Sequence, residues 1–188
     1  MTENSPNRRV GLCVLLTGFC GAGKTTTARA LMNRLIEHTN RPVTLLDGGA
    51  VRTNLSPELG FSKEDRDTNM RRIGFVAFEI MKHGGLCISS AIAPYDAARK
   101  EMRARIEAVG EFVLVHVATP ISVCETRDSK GLYARARDGT LPYFTGISDP
   151  YEKPADADIT IDTTSMTTEE AVDLIVCYLE RRGFYNSP

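Results

Sequence analysis

The chain has 188 residues, of which 42% are hydrophobic and 25% are charged, and its formal net charge is -1. This length suits one α/β domain with a substantial core, and the composition is that of a soluble globular protein. A net charge near zero excludes a nucleic-acid surface held by bulk charge, and no stretch approaches the roughly 20 apolar residues of a membrane helix. Any binding of phosphate must therefore be local.

The N-terminal segment, residues 1–9, is polar and is expected to be flexible. It lacks the apolar core of a signal peptide, because Val10 already begins an apolar strand pattern. The five cysteines form no CxxC pair, and three of them lie in apolar runs, where free buried thiols are common. We therefore expect a cytoplasmic protein without a disulfide framework or a zinc site.

Short apolar runs alternate with segments that carry apolar residues at helical spacing. The apolar runs predict buried strands, and the periodic segments predict helices. The predicted strands are Val10–Leu16, Val43–Leu46, Leu86–Ile92, Phe112–Ala118 and Ile159–Ile161. The predicted helices are Thr25–His38, Asp65–Lys82, Asp96–Val109, Ile121–Arg127 and one that follows a capping box at Thr167 and ends near Arg182. This alternation implies a mostly parallel sheet with helices on both faces.

One stretch, residues 128–153, breaks the alternation, since it contains several glycines and prolines and little periodicity. Loops of this length inside a compact domain are usually functional and often close over a site. We therefore predict a single domain over residues 10–188 with a lid at about 128–153.

The first predicted strand runs into the sequence GFCGAGKT at residues 18–25, which satisfies the pattern G-x-x-x-x-G-K-S/T. The glycines let the backbone turn its N–H groups inward around anionic oxygens, and the following helix adds its positive end. Lys24 would reach the β- and γ-phosphates, and Thr25 would offer a hydroxyl to Mg²⁺. A chance match is the alternative, but a strand before and a helix after favour a phosphate-binding loop. The predicted ATP-binding residues here are Gly18, Gly21, Ala22, Gly23, Lys24, Thr25 and Thr26.

Several further segments, which include KGLY at 130–133, FTGI at 144–147 and DPYE at 149–152, are much more specific than this loop. Together with residues 46–52, 59–72 and 92–95, they resemble the adenylylsulfate (APS) kinases, over nearly the whole chain. That family transfers the γ-phosphate of ATP to the 3′-hydroxyl of APS and so makes 3′-phospho-APS (PAPS) for sulfate assimilation. The resemblance implies a three-layer P-loop NTPase fold with a mostly parallel five-stranded sheet, Mg²⁺ with ATP, and a homodimer.

The resemblance also assigns residues to the acceptor. It implies that Arg52, Arg66 and Asn69 hold the phosphosulfate and ribose of APS, and that Phe61 and Phe144 stack on its adenine. Arginine suits oxyanions because its fork binds two oxygens at once. The alternatives are that the arginines form solvated ion pairs and that each phenylalanine belongs to the core.

Further roles follow from the resemblance in the wall and the lid. It implies that Ile92 shapes the acceptor wall, that Lys130 contacts the bound substrate, and that Arg127 packs on the ATP adenine with help from Asp128. Two more lid arginines either neutralise phosphate charge or are simply solvated: Arg135 and Arg137.

The chain departs from the family pattern at Gly49, Ala93 and Cys20. Gly49 stands where the family has an aspartate that activates the acceptor hydroxyl or orients Mg²⁺; Ala93 and Cys20 each replace a serine. Loss of a general base costs about 10²–10⁴-fold in rate. Asp47 is retained. Either it replaces the missing aspartate by acting through a water molecule, so that Lys24 and Asp47 are the catalytic residues, or it merely caps the strand end.

Three hypotheses follow. The first is an active APS kinase, free or joined to a sulfurylase. The second is a catalytically weakened module that binds APS and nucleotide and regulates ATP sulfurylase as a partner. The third is a P-loop kinase for another nucleotide-linked acceptor.

Overall fold

A computed structural model describes residues 10–184. The prediction of a flexible segment at residues 1–9 lies outside the described residues, as do the last four residues of the predicted domain. The strands are β1 (Gly11–Thr17), β2 (Val43–Asp47), β3 (Leu86–Ser90), β4 (Gly110–Val117) and β5 (Ile159–Ile161). The helices are α1 (Lys24–His38), α2 (Gly48–Asn54), α3 (Lys63–Lys82), α4 (Asp96–Glu107), α5 (Ile121–Thr126), α6 (Leu132–Arg137) and α7 (Thr168–Arg181).

The five strands form one sheet in the order β2-β3-β1-β4-β5, and every neighbouring pair is parallel. The predicted α/β fold is therefore confirmed. Strand β1 lies in the centre, with Leu12 opposite Leu86 on one side and Glu111 on the other.

Residues of β1 alternate between two hydrophobic cores on opposite faces of the sheet. Leu12, Val14 and Leu16 face the core that contains residues of α1 and α7. Cys13 and Leu15 face the core that contains residues of α3 and α4. Burial on both faces explains why β1 is a continuous apolar run and not an alternating one.

The sequence interpretation missed two short helices. Helix α2 lies where we expected a loop, and it begins because the Asp47 carboxylate accepts from the backbone N–H groups of Gly49 and Ala50. Helix α6 lies inside the predicted lid. Each is shorter than two helical turns, so neither produces a readable apolar period.

The fold brings the ends of three strands together. Because parallel strands share one carboxyl edge, the segments after β1, β2 and β3 meet there, which is where open α/β sheets bind ligands. Within residues 10–184, the structure contains no helix that is both long and apolar enough to cross a membrane.

Candidate active site

The glycine-rich loop connects β1 to α1 at the carboxyl edge of the sheet. Gly18 must be glycine, since a Cβ there would lie 2.4 Å from the carbonyl oxygen of Val117. Gly23 has a left-handed φ of 96° and precedes α1 without a side-chain cap. The first N–H groups of this 15-residue helix are thus left for a ligand, as an anion site requires.

Lys24 lies at the base of this loop, where its side chain is only 9% exposed. Its Nζ donates to the carbonyl oxygen of Phe19 at 2.7 Å, so the ammonium reaches back across the loop. Burial lowers the pKa of Lys24 to about 8. Tyr133 of α6 donates to the carbonyl oxygen of Cys20 at 2.8 Å and thereby joins α6, in the predicted lid, to the loop.

A polar corner beside the loop joins three elements. The Thr25 hydroxyl donates to Asp47 Oδ2 at 2.9 Å and lies 3.2 Å from Ser90 Oγ. Oxygen donors of this kind fit Mg²⁺, which binds through one or two carboxylates together with substrate phosphates and water. No cluster of three or more His, Cys, Asp or Glu suited to a metal occurs in residues 10–184. Ser90 escaped the sequence interpretation, although a polar residue that ends a buried strand is itself a signal.

The loop and this corner open into a cavity of about 570 Å³, a size typical of small-molecule sites. Cationic side chains dominate its lining: Lys24, Arg52, Arg66, Arg127 and Lys130. The one acidic residue among the described lining residues is Asp128, whose carboxylate caps α6. This excess of positive charge suits a ligand that carries several negative groups.

Arg66 and Phe61 form one side of the cavity. Arg66 is buried, and it donates to the carbonyl oxygens of Phe61 at 2.9 Å and Tyr143 at 2.7 Å. Burial lowers its pKa, and Asp149, whose carboxylate lies 3.8 Å away, partly offsets this. The Phe61 ring is 51% exposed and stacks 5.4 Å from the Arg66 guanidinium carbon. Arg66 is therefore not a solvated surface pair.

Arg52 and Asn69 complete this side. Arg52 donates to the carbonyl oxygens of Leu59 and Gly60, and burial and the nearby Arg66 lower its pKa. Asn69 is 6% exposed and lines the cavity, and its Oδ1 has no hydrogen-bond partner. A buried acceptor left unsatisfied is costly, and because solvent does not reach this oxygen, the side chain must turn before a ligand can donate to it.

Phe144 is not among the residues that line the cavity. Its ring is buried in the core on the α1 side, where it meets Tyr133 edge-on at 4.9 Å. The structure thus does not pair Phe144 with Phe61 around an adenine, and in this arrangement its packing is that of a core residue. A stacking role for Phe144 stays a prediction and requires the lid to move.

Arg127 and Asp128 form hydrogen bonds with different parts of the structure. Arg127 lines the cavity and donates to the Thr163 hydroxyl at 2.7 Å and the Thr163 carbonyl oxygen at 2.8 Å. The expected role of Asp128 in orienting Arg127 is not seen in this structure. The Asp128 carboxylate instead accepts from the first N–H groups of α6. Lys130 is exposed at the cavity rim. Arg135 and Arg137 are exposed and lie outside the lining.

The opposite wall is formed by residues 90–94 between β3 and α4. Ile92 lines the cavity there, and its contact with an acceptor stays a prediction; Ala93 has a φ of 45°. Gly49 lines the cavity from the first turn of α2, beside Asp47. The two predicted loop residues that do not line the cavity, Gly18 and Ala22, are buried.

An all-parallel sheet whose carboxyl edge holds such a loop is the fold of the P-loop kinases. The family model for adenylylsulphate kinase matches residues 10–162, and the chain belongs to that family.

Several relatives are sulfate adenylyltransferases. The chain is 46% identical to one from Neosartorya fischeri, and the match covers 99% of this chain and 33% of that protein. It is 47% identical to one from Coccidioides immitis, with coverage of 97% and 32%. The chain thus spans about a third of the length of the curated relatives it matches.

Solved structures agree. A hexameric APS kinase from Thiobacillus denitrificans is 46% identical with a TM-score of 0.75, and the match covers 96% of this chain and 31% of that one. An APS kinase from Mycobacterium tuberculosis, solved with AMPPNP and APS, is 34% identical with a TM-score of 0.84 over 91% and 98%.

Proposed function

We propose that this chain transfers the γ-phosphate of Mg-ATP to the 3′-hydroxyl of APS and releases ADP and PAPS. The observation that carries the proposal is one cationic cavity that joins the phosphate loop to the buried residues Arg66 and Asn69. Nucleotide and phosphosulfate are both anionic, and this one cavity offers cations to each.

The donor half of the site holds the triphosphate. The N–H groups at the start of α1 bind its oxygens, and Lys24 balances charge on the transferred group. Thr25, Asp47 and Ser90 are the residues that would hold Mg²⁺. When bound, this ion neutralises charge that develops on the phosphate oxygens.

The acceptor half orients APS. Arg52 and Arg66 bind its phosphosulfate, and the Asn69 amide, after its side chain turns, binds a ribose hydroxyl. The 3′-oxygen forms a bond to the γ-phosphorus as the bond to the bridging oxygen breaks, and ADP leaves. The hydroxyl proton passes to water, because Asp47 would hold Mg²⁺ and already caps α2. Since phosphoryl transfer depends chiefly on positioning and electrostatics, turnover does not require a base placed beside the acceptor.

The test is a kinase assay of the purified chain with Mg-ATP and APS. Equal amounts of ADP and PAPS are expected, and Lys24→Ala is the control that removes the central cation of the donor half. A wild-type rate no higher than that of Lys24→Ala would overturn the proposal. A panel of other nucleotide-linked acceptors in the same assay tests whether APS is the preferred one.

A second candidate is a regulatory module that binds APS and nucleotide with little turnover. Two observations favour it: Gly49 in place of the family's aspartate, and relatives that are sulfate adenylyltransferases about three times as long. In that case the chain regulates ATP sulfurylase, to which it is joined or bound, and calorimetry finds APS binding without PAPS. Self-association as a homodimer is compatible with either candidate and is measured by light scattering.

A further inference from the structure

The wall formed by residues 90–94 carries an unusual backbone conformation. Ala93 has a φ of 45°, within the left-handed region that alanine rarely adopts. Such a conformation persists only where the surrounding structure imposes it, and it occurs preferentially at functional sites. The contacts that impose it therefore indicate what the wall is for.

Arg99, one turn into α4, makes the first of these contacts. It is 2% exposed and is the largest fully buried side chain in the described part of the protein. Its Nη1 donates to the carbonyl oxygen of Ala93 at 2.7 Å, and its Nη2 donates to the carbonyl oxygen of Glu152 at 2.7 Å. One planar fork thus joins the wall to the end of the predicted lid segment.

Thr17 holds the same stretch of backbone from the other side. Its hydroxyl donates to the carbonyl oxygen of Ile92 at 2.6 Å and lies 3.0 Å from the hydroxyl of Tyr151. Thr17 is the last residue of β1 and directly precedes the phosphate loop. The wall is therefore fixed relative to both the donor half of the site and the segment around residues 151–152.

We propose that Arg99 is a positioning residue for the acceptor, because it holds Ala93 in its left-handed conformation and so sets the wall that the acceptor contacts. Arg99 is not among the residues that line the cavity, so it acts through the backbone it binds and not on a ligand. The inference rests on the proposed function, in which the molecule against this wall is APS.

The experiment compares Arg99→Met and Arg99→Lys with Arg103→Met as a matched control. Arg103 lies one turn further along α4 and likewise donates to a carbonyl after the lid, that of Asp156. It does not line the cavity. KM values for APS and ATP are measured together with calorimetric binding of APS and of AMPPNP. Thermal melting reports the loss of stability in each variant.

For Arg99→Met we expect weaker APS binding and a KM for APS raised about 10- to 100-fold, the size of effect that a small misplacement produces. The KM for ATP and the binding of AMPPNP change little. Arg99→Lys keeps the charge but loses the fork, so its effect is intermediate; if Arg99→Met does not fold, Arg99→Lys decides. Arg103→Met lowers the melting temperature without this selective effect on APS.

Two results would overturn the inference in distinguishable ways. If wild type binds APS and the Arg99 variants that fold change APS and ATP parameters no more selectively than Arg103→Met, Arg99 has a purely structural role. If wild type itself neither binds nor phosphorylates APS, the proposed function fails and this inference fails with it.

Discussion

Gly49 stands where the family has an aspartate, and its surroundings indicate what restoring that aspartate would do. It is exposed in the first turn of α2, and a Cβ there would approach only the carboxylate of Asp47, at 3.2 Å. An acidic residue near a helix N-terminus is favourable. We therefore expect Gly49→Asp to fold normally and to raise kcat about 10²-fold or more, by placing a carboxylate in the cavity. Steady-state kinase assays check this.

The control for this change is Gly49→Asn, which has nearly the same shape but no charge. If the carboxylate acts as a base or metal ligand, the asparagine variant stays near the wild-type rate. Equal rates for glycine, aspartate and asparagine at this position, in a chain that binds APS, would show that position 49 does not limit turnover.

Lys24 gives the site a pH dependence whose direction follows from its environment. Burial lowers the pKa of Lys24 to about 8, so the side chain is fully protonated well below pH 8 and loses its charge above it. A triphosphate binds the cation, and binding therefore weakens as pH rises through about 8. We expect the Kd for AMPPNP to be up to about tenfold higher at pH 9 than at pH 7. Calorimetry over this range measures it.

The variant Lys24→Met removes the titrating group. Its Kd is expected to be higher at every pH and to change little between pH 7 and pH 9. A wild-type profile parallel to that of Lys24→Met would assign the pH dependence to some other group.

At the scale of elements, the lid depends on one carboxylate. Asp128 accepts from the N–H groups of Leu132, Tyr133 and Ala134, and α6 then places the Tyr133 hydroxyl on the phosphate loop. We expect Asp128→Ala to destabilise α6 by about 1 kcal/mol, the usual loss for an N-cap. Hydrogen exchange should become faster over residues 128–140, and nucleotide affinity should fall.

The matched control is Asp138→Ala. Asp138 lies in the same lid and accepts from the N–H and hydroxyl of Thr140, outside the cavity. Faster exchange around residue 140 without a loss of nucleotide affinity is expected. If both variants weakened nucleotide binding equally, the coupling through Tyr133 would be wrong.

Most elements of this fold were predictable, including the short β5 and α5, and the two that were missed are α2 and α6. Helix α3 repeats its apolar spacing over 20 residues, and the capping box at Thr167 marks the start of α7. Strand β1 shows no period, but its short apolar run ends at a glycine-rich turn, as a strand buried on both faces does. Helices α2 and α6 have only seven and six residues, and each has its first N–H groups capped by one nearby carboxylate, Asp47 or Asp128. Local sequence alone therefore cannot distinguish them from loops.

The site divides in the same way. The phosphate loop is readable because its ligand contacts come mainly from consecutive backbone groups. Ser90 and Arg99 act through residues at least six positions away or on another strand, so their roles appear only in three dimensions. Phe144 is a residue whose sequence context left two roles open, stacking or core packing, and in this structure its ring packs in the core.

For the molecule as a whole, one sheet edge joins two binding halves. Thr17 connects the strand before the phosphate loop to the acceptor wall, and Tyr133 connects the lid to the loop. In the proposed function the halves nevertheless use different charged side chains, Lys24 for nucleotide and Arg66 for the acceptor. This arrangement predicts that each ligand can bind and stabilise the fold without the other.

Ligand-induced thermal stabilisation tests that independence. A ligand that binds only the folded state at 100 times its Kd adds about 2.7 kcal/mol, which corresponds to roughly 5–10 °C for a domain of this size. We expect Mg-AMPPNP and APS each to raise Tm by about this amount. Lys24→Ala should lose the shift with AMPPNP and keep that with APS, whereas Arg66→Met should do the reverse. A single substitution that abolished both shifts in a folded protein would mean that the two halves form only as one unit.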